Sequence, residues 1–173
     1  GIIFAGAQKN IGPAGVTLVI IRGDLLGKEL PCTPTMLSYK TMVEKDSMHN
    51  TPPCYNIYIL GLVLKWIDSM GGLEAMEKLR VERAKILYDF LDESKLFKSP
   101  VRPDSRSDMN VTFVTGDEAL DKQFIKEAEA NGFVNLAGHR TVGGMRASIY
   151  NAMPIEGVKA LVEFMKEFEL KNK

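Results

Sequence analysis

A handful of side chains in this 173-residue sequence stand where their types could do chemistry. Lys9 lies in Phe4-Ala5-Gly6-Ala7-Gln8-Lys9-Asn10, just before Ile11-Gly12-Pro13-Ala14-Gly15. Residues 1–5 read as a buried strand and residues 16–21 as a second one rich in β-branched side chains, with glycines marking irregular backbone between them. Lys9 is therefore expected on a loop between two core strands. An ammonium held near low-dielectric strands has its neutral form favoured, and a neutral amine condenses with an aldehyde to a Schiff base. Ala5, Gly6 and Ala7 leave room for a ring. The plain alternative is a solvated loop lysine.

The remaining candidates bind anions. Asn50-Thr51-Pro52-Pro53 reads as a helix start, with Thr51 as the cap and proline where a missing N–H costs nothing. Helix N-termini attract anions, so a phosphate there would rely on the Asn50 amide, the Thr51 hydroxyl and the remaining backbone N–H groups. Ordinary capping is the alternative. His139-Arg140 beside Gly138 offers a dianion grip, a guanidinium fork plus an imidazolium charge. Strand alternation puts Arg146 with Ser148 and Tyr150 on one face, and Met145, Ala147 and Ile149 on the other. A strand arginine beside a glycine-rich loop can receive a carboxylate in two parallel hydrogen bonds, or simply form a structural salt bridge.

The elements that must position these groups follow from periodicity. Residues 22–27 read as a turn with one short helical turn. Residues 30–49 show no sustained period, and Pro31, Thr33, Pro34 and Thr35 argue for a long ordered loop. Residues 55–70 are apolar nearly all round, which predicts a helix buried between layers or at a subunit interface. After Gly71-Gly72, residues 73–91 form a second predicted helix, with Leu73, Met76, Leu79, Ala84, Leu87 and Phe90 on one face and a length suited to connecting two domains. Residues 95–108 are polar and interrupted by Pro100 and Pro103, a surface crossing. A strand over 110–115 precedes an amphipathic helix over 117–130, with Leu120, Phe124, Ile125 and Ala128 inward and Asn131-Gly132 closing it. A strand over 146–150 and a helix over 154–170 complete a small α/β layer domain. The intervening segment 133–144 carries His139, Arg140 and the pair Gly143-Gly144.

Composition sets bounds. With 45% hydrophobic residues, 25% charged, and 22 acids against 22 bases, the chain reads as an ordinary globular protein. Zero net charge gives no electrostatic case for nucleic acid or an anionic membrane. The longest apolar run, residues 55–64, is too short to span a bilayer, and the first residues lack a basic secretory leader. Cys32 and Cys54 have no metal-ligand spacing, so they are expected as small buried or half-buried hydrophobes in a reducing compartment, the cytosol.

The segment Ala5-Gly6-Ala7-Gln8-Lys9-Asn10-Ile11-Gly12-Pro13-Ala14-Gly15-Val16-Thr17 resembles the cofactor-lysine segment of the phosphoserine aminotransferase family, which belongs to the class V, fold-type I pyridoxal-phosphate-dependent aminotransferases. His49-Asn50-Thr51-Pro52-Pro53 and Gly138-His139-Arg140-Thr141-Val142-Gly143-Gly144-Met145-Arg146-Ala147-Ser148 resemble the same family in the same order. The resemblance implies an α/β fold in which residues 1–75 end a large, mainly parallel-sheet cofactor domain and residues 76–173 form the small C-terminal domain. It implies Lys9 as the catalytic, cofactor-bearing lysine, Gln8 beside it, and Asn50 and Thr51 reaching across a homodimer to the neighbouring subunit's cofactor phosphate. His139 and Arg140 would contact the substrate phosphate, largely from the partner subunit, and Arg146 the substrate α-carboxylate. The implied reaction is reversible transamination between L-glutamate with 3-phosphohydroxypyruvate and 2-oxoglutarate with O-phospho-L-serine, on the serine biosynthesis route. Because Gly1 opens in mid-strand, and a lysine like Lys9 lies near the middle of the family's longer chains, this sequence is expected to be the C-terminal half of such an enzyme, inactive without its N-terminal half. An aminotransferase of the same fold acting on an unphosphorylated amino acid, and a non-catalytic dimerising fragment, are the other readings.

Overall fold

The computed structural model describes residues 1–172. The chain divides into two compact units, Gly1–Ser69 and Met70–Lys173. In the first, β1 (Ile2–Gly6) and β2 (Thr17–Ile21) pair antiparallel, with Phe4 opposite Val19 and Gly6 opposite Thr17. These strands were expected in a core, yet every residue of β1 is exposed, Phe4 by 74%. The reason is that, among the described residues, the two strands pair only with each other, and a two-stranded ribbon is not seated in a larger sheet.

The stretch expected as loop between residues 30 and 49 holds a helix, α1 (Tyr39–Glu44). Its six residues are too few to show a period, but its start is locally encoded. Buried Ser38 is its N-cap, accepting from the Thr41 N–H at 3.4 Å while its hydroxyl donates to Glu29. That bond holds the Glu29 carboxyl below the usual carboxylate range. Helix α2 (Cys54–Ser69) begins after both prolines, so Thr51 is not its cap. The Pro53 carbonyl accepts the first helical bond, from the Ile57 N–H at 3.1 Å. A residue preceding proline is pushed out of the α region, which keeps Pro52 extended and delays the helix. Of the α2 side chains among the described residues only Ile67 is buried. Cys32 and Cys54 are exposed rather than buried, because Cys32 sits in an open loop and Cys54 opens α2 with its thiol on the Pro52 carbonyl at 3.5 Å.

The second unit is an α/β layer. Gly71 and Gly72, both left-handed at φ 102° and 72°, lead into α3 (Gly72–Glu93). Strand β3 (Asn110–Phe113), helix α4 (Glu118–Ala130), strand β4 (Met145–Ser148) and helix α5 (Ile155–Lys171) follow. Strands β3 and β4 pair antiparallel, Asn110 opposite Ser148 and Phe113 opposite Met145. The Asp117 carboxylate caps α4 by accepting from the Ala119 and Leu120 N–H groups, and Gly132 at φ 87° ends it. Helix α3 lies within this unit and packs along α5. Leu73, expected on its core face, is exposed in the first turn, whereas Tyr88 and Leu91, missed in the periodic reading, are buried. Arg106 stacks over the Tyr88 ring at 4.5 Å and pairs with Asp92, tying the polar crossing to α3.

The core is aromatic. Phe97 is fully buried with its ring 5.0 Å from Phe124, 5.9 Å from Phe113 and 6.0 Å from Phe168, so residues from β3, α4 and α5 meet on one side chain. Among the described residues no helix is long and apolar enough to cross a membrane. Truncating this hub, Phe97→Ala, is expected to cost about 3–5 kcal/mol in denaturant unfolding of the second unit, and a loss under ~1 kcal/mol would show that the rings do not organise it.

Candidate functional site

The loop carrying Lys9 is fixed from both ends. Buried Ala7 donates its N–H to the Val16 carbonyl at 2.9 Å, closing the loop onto β2. Gly12 lies against α2 so closely that an added Cβ would sit 3.3 Å from Leu60 Cβ. One turn earlier on the same helix face, the Asn56 amide donates to the Ala14 carbonyl beside left-handed Gly15. Backbone is thus ordered while the Lys9 side chain is left exposed, without a hydrogen bond or ion pair among the described residues. The low-dielectric setting expected for its amine is not built within this chain, because the flanking strands are themselves exposed. Gln8 is exposed as well, its carboxamide folded over Gly6.

Asn50 and Thr51 belong to the same unit and are exposed on the approach to α2. The Asn50 amide makes only a long 3.5 Å contact to the Thr51 carbonyl, so both polar side chains remain available to an anion. Just upstream, Asp46 and Ser47 are both left-handed at φ 48° and 64°, in a turn held by Ser47 N–H to Met42 carbonyl and Met48 N–H to Lys45 carbonyl, each 2.8 Å. No hydrogen bond among the described residues links Lys9 to Asn50 or Thr51.

In the second unit His139, Arg140 and Arg146 share one loop and strand. The Gly138 N–H meets the Gly144 carbonyl at 2.8 Å, and the Val142 and Gly143 N–H groups both meet the His139 carbonyl at 2.8 Å. His139 and Arg140 stand exposed on the resulting turn, with the Thr141 hydroxyl 2.7 Å from His139 Nδ1. Only glycine fits at 144, at φ 65° with an added Cβ only 2.6 Å from Val114 Cγ1. Arg146 is half-buried opposite Thr112, with its own N–H on the Leu136 carbonyl at 2.7 Å and its Nε buried without a hydrogen-bond partner. Alternation holds as read: Met145, Ala147 and Ile149 are buried, and Ser148 and Tyr150 share the Arg146 face, both donating to Asn110 Oδ1 at 3.0 and 3.2 Å. A guanidinium of this kind has the fork of donors that carboxylate and phosphate oxygens accept from.

Sequence reasoning missed Asn110, Asn56 and Arg83. Asn110 and Asn56 carry no local signal, since their partners are 38 and 42 residues away. Arg83 does carry one: it falls seven residues after Met76 and four before Leu87, on the apolar stripe of α3, where a cation must be buried.

The Aminotransferase class-V family model matches residues 1–161. The phosphoserine aminotransferase of Listeria monocytogenes serovar 1/2a is 58% identical over 168 residues, covering 97% of this chain and 46% of the relative. That of Bacillus cereus strain ATCC 14579 is 54% identical over 173 residues, covering 100% and 48%. Among solved structures, phosphoserine aminotransferase from Bacillus circulans subsp. alkalophilus superposes with a TM-score of 0.97 at 49% identity, over 100% of this chain and 48% of that one. The pyridoxal-phosphate-bound enzyme of Trichomonas vaginalis gives 0.91 at 42% identity, over 96% and 48%. The chain therefore spans about half the length of the curated relatives it matches.

Gly138→Ala places a methyl group on the Gly143 carbonyl oxygen. It is expected to open the 138–144 turn, read as amide hydrogen exchange at Gly138 and Val142 faster by about tenfold or more, with the aromatic core intact. Unchanged exchange would show that the turn does not need the close approach.

Proposed function

Because the chain belongs to the class V aminotransferase family, we propose that it supplies the lysine-bearing half of a pyridoxal-phosphate-dependent phosphoserine aminotransferase. Its reaction moves an amino group reversibly between L-glutamate with 3-phosphohydroxypyruvate and 2-oxoglutarate with O-phospho-L-serine, for serine biosynthesis in the cytoplasm. The observation that carries the reading is an unpaired, exposed lysine on a backbone loop fixed by Ala7, Gly12 and Ala14, in a chain similar along its whole length to enzymes of that name.

The residues present suit the cofactor by their chemistry. A free amine answers an aldehyde, while the Asn50 amide and Thr51 hydroxyl answer a phosphate ester, and Gln8 lies beside the amine. When bound, pyridoxal phosphate supplies an electron-accepting ring that makes the substrate Cα–H acidic. This chain's residues do the rest. Lys9 Nζ takes the proton from the substrate Cα. Arg146 receives the α-carboxylate through its guanidinium on the face it shares with Ser148. His139 and Arg140 receive the substrate phosphate, which selects phosphoserine over unphosphorylated amino acids. In a homodimer Asn50 and Thr51 serve the neighbouring subunit's cofactor, and a complementary half of the enzyme completes each site, so the chain alone turns over little or nothing.

The test combines this chain with the complementary half taken from the Listeria relative. Expected are cofactor absorbance, phosphoserine-dependent turnover, and a cofactor mass fixed by borohydride on the Lys9 peptide, all absent in Lys9→Ala. Strong turnover by Lys9→Ala would overturn the assignment, and strong turnover by the 173-residue chain alone would overturn its need for the complementary half. In the same assembly His139→Asn with Arg140→Gln is expected to weaken phosphoserine binding by roughly 2–4 kcal/mol, ~1–2 for each charge-assisted contact, with glutamate little affected. Equal losses for the two substrates would mean that the phosphate is held elsewhere.

A further inference from the structure

Arg83 is the largest fully buried side chain of the second unit, 2% exposed in the middle of α3, yet no carboxylate pairs with it among the described residues. A buried cation is stable only where something answers its charge. Here three backbone carbonyls do so. Arg83 Nη1 donates to the oxygens of Asn151 and Met153 at 2.7 Å each and of Tyr150 at 3.0 Å. The other two guanidinium nitrogens, Nε and Nη2, are buried without hydrogen-bond partners among the described residues. Burial accordingly pushes the Arg83 guanidinium below its ordinary range.

The three carbonyls belong to the turn that follows β4, closed by the Met153 N–H on the Tyr150 carbonyl at 2.8 Å. That turn finishes the strand on which Arg146, Ser148 and Tyr150 share a face. Strand β4 has only four residues, its entry fixed by the glycine turn at 138–144 and its exit by the segment that Arg83 gathers. Without a cation, three carbonyl dipoles would point at one dry spot and repel, and the exit would have to turn outward.

We propose that Arg83 is a positioning residue for the carboxylate-binding face: by drawing the carbonyls of Tyr150, Asn151 and Met153 to one nitrogen it sets the path of β4, and with it the aim of Arg146. The inference rests on the reading of Arg146 given above. It also fixes what the position requires. One nitrogen makes every bond and the fork is unused, so the site calls for a point cation with several N–H groups. An ammonium, with three donors on one atom, matches three acceptors better than the two hydrogens of Nη1 do. Arg83→Lys should therefore work where Arg83→Met does not.

Two measurements separate this inference from the reading beneath it. Amide hydrogen exchange over residues 148–153, in this chain, reports the turn itself: Arg83→Met is expected to speed it by about tenfold or more and Arg83→Lys to restore it. In the assembly with the complementary half, Arg83→Met is expected to raise the KM for glutamate by about tenfold while kcat stays within about threefold, and Arg83→Lys to return KM to the wild-type value. Unchanged exchange in a folded Arg83→Met protein overturns the inference, as does a fall in kcat with KM unmoved. Should Arg83→Met fail to fold, Arg83→Lys decides, since damage there would show that the fork is needed. An assembly that never transaminates, with exchange at 148–153 still answering to Arg83→Met and Arg83→Lys, sinks the Arg146 reading and leaves the turn to Arg83.

Discussion

The packing of phenylalanine rings around Phe97 is the constraint on which the second unit depends. A ladder of four residues against four cannot stand in water, so β3 and β4 exist because one of their faces is sealed by Phe97, Phe124 and Phe168. Sealing that face fixes the parity of every strand residue. Met145, Ala147 and Ile149 must go in, which leaves Arg146, Ser148 and Tyr150 facing the other way. The face that carries Arg146 is thus the reverse side of a hydrophobic decision, and its hydroxyls are then organised among themselves through Asn110.

Around that face the structure is held by backbone rather than by ion pairs. The 138–144 turn is closed by N–H to carbonyl bonds and by glycines that let strands approach, while the far end of β4 is gathered by a single buried cation. Surface pairs such as Lys85 with Asp89 and Lys122 with Glu118 lie far out in solvent and contribute little to this arrangement. The loop of Lys9 follows the same economy in the first unit, where α2 supplies Leu60 as a floor for Gly12 and Asn56 as a hook for Ala14.

Much of this was legible in the sequence where a rule is local and periodic. The closing of α4 at Asn131-Gly132 and the parity of β4 each follow from residues within one or two turns, and the structure keeps them. The readings that failed depend on what a residue meets at long range. The apolar strands β1 and β2 read as core, but apolar sequence does not say which layer will cover it. Helix α1 is too short for periodicity, Thr51 lost the cap to the geometry of consecutive prolines, and Arg83 went unread although it falls on the apolar stripe of α3. The chemical readings of Lys9, Asn50, Thr51, His139, Arg140 and Arg146 came from resemblance and residue type. The structure adds the loops and the strand on which they sit.

The two antiparallel ladders also differ in how they come to be. The loop of residues 7–16 closes β1 onto β2 across ten positions, whereas β4 finds β3 only after residues 114–144 have been spanned. By chain-closure entropy the longer excursion is dearer by about 1 kcal/mol. Its rate is further tied to the collapse of α4 onto the rings, because non-local pairings are the slow ones to form. During synthesis and refolding, the β1–β2 hairpin is therefore closed by contacts that are near neighbours in the chain, its lysine loop is seated once α2 arrives with Leu60 and Asn56, and the arginine strand takes form only once its domain has condensed.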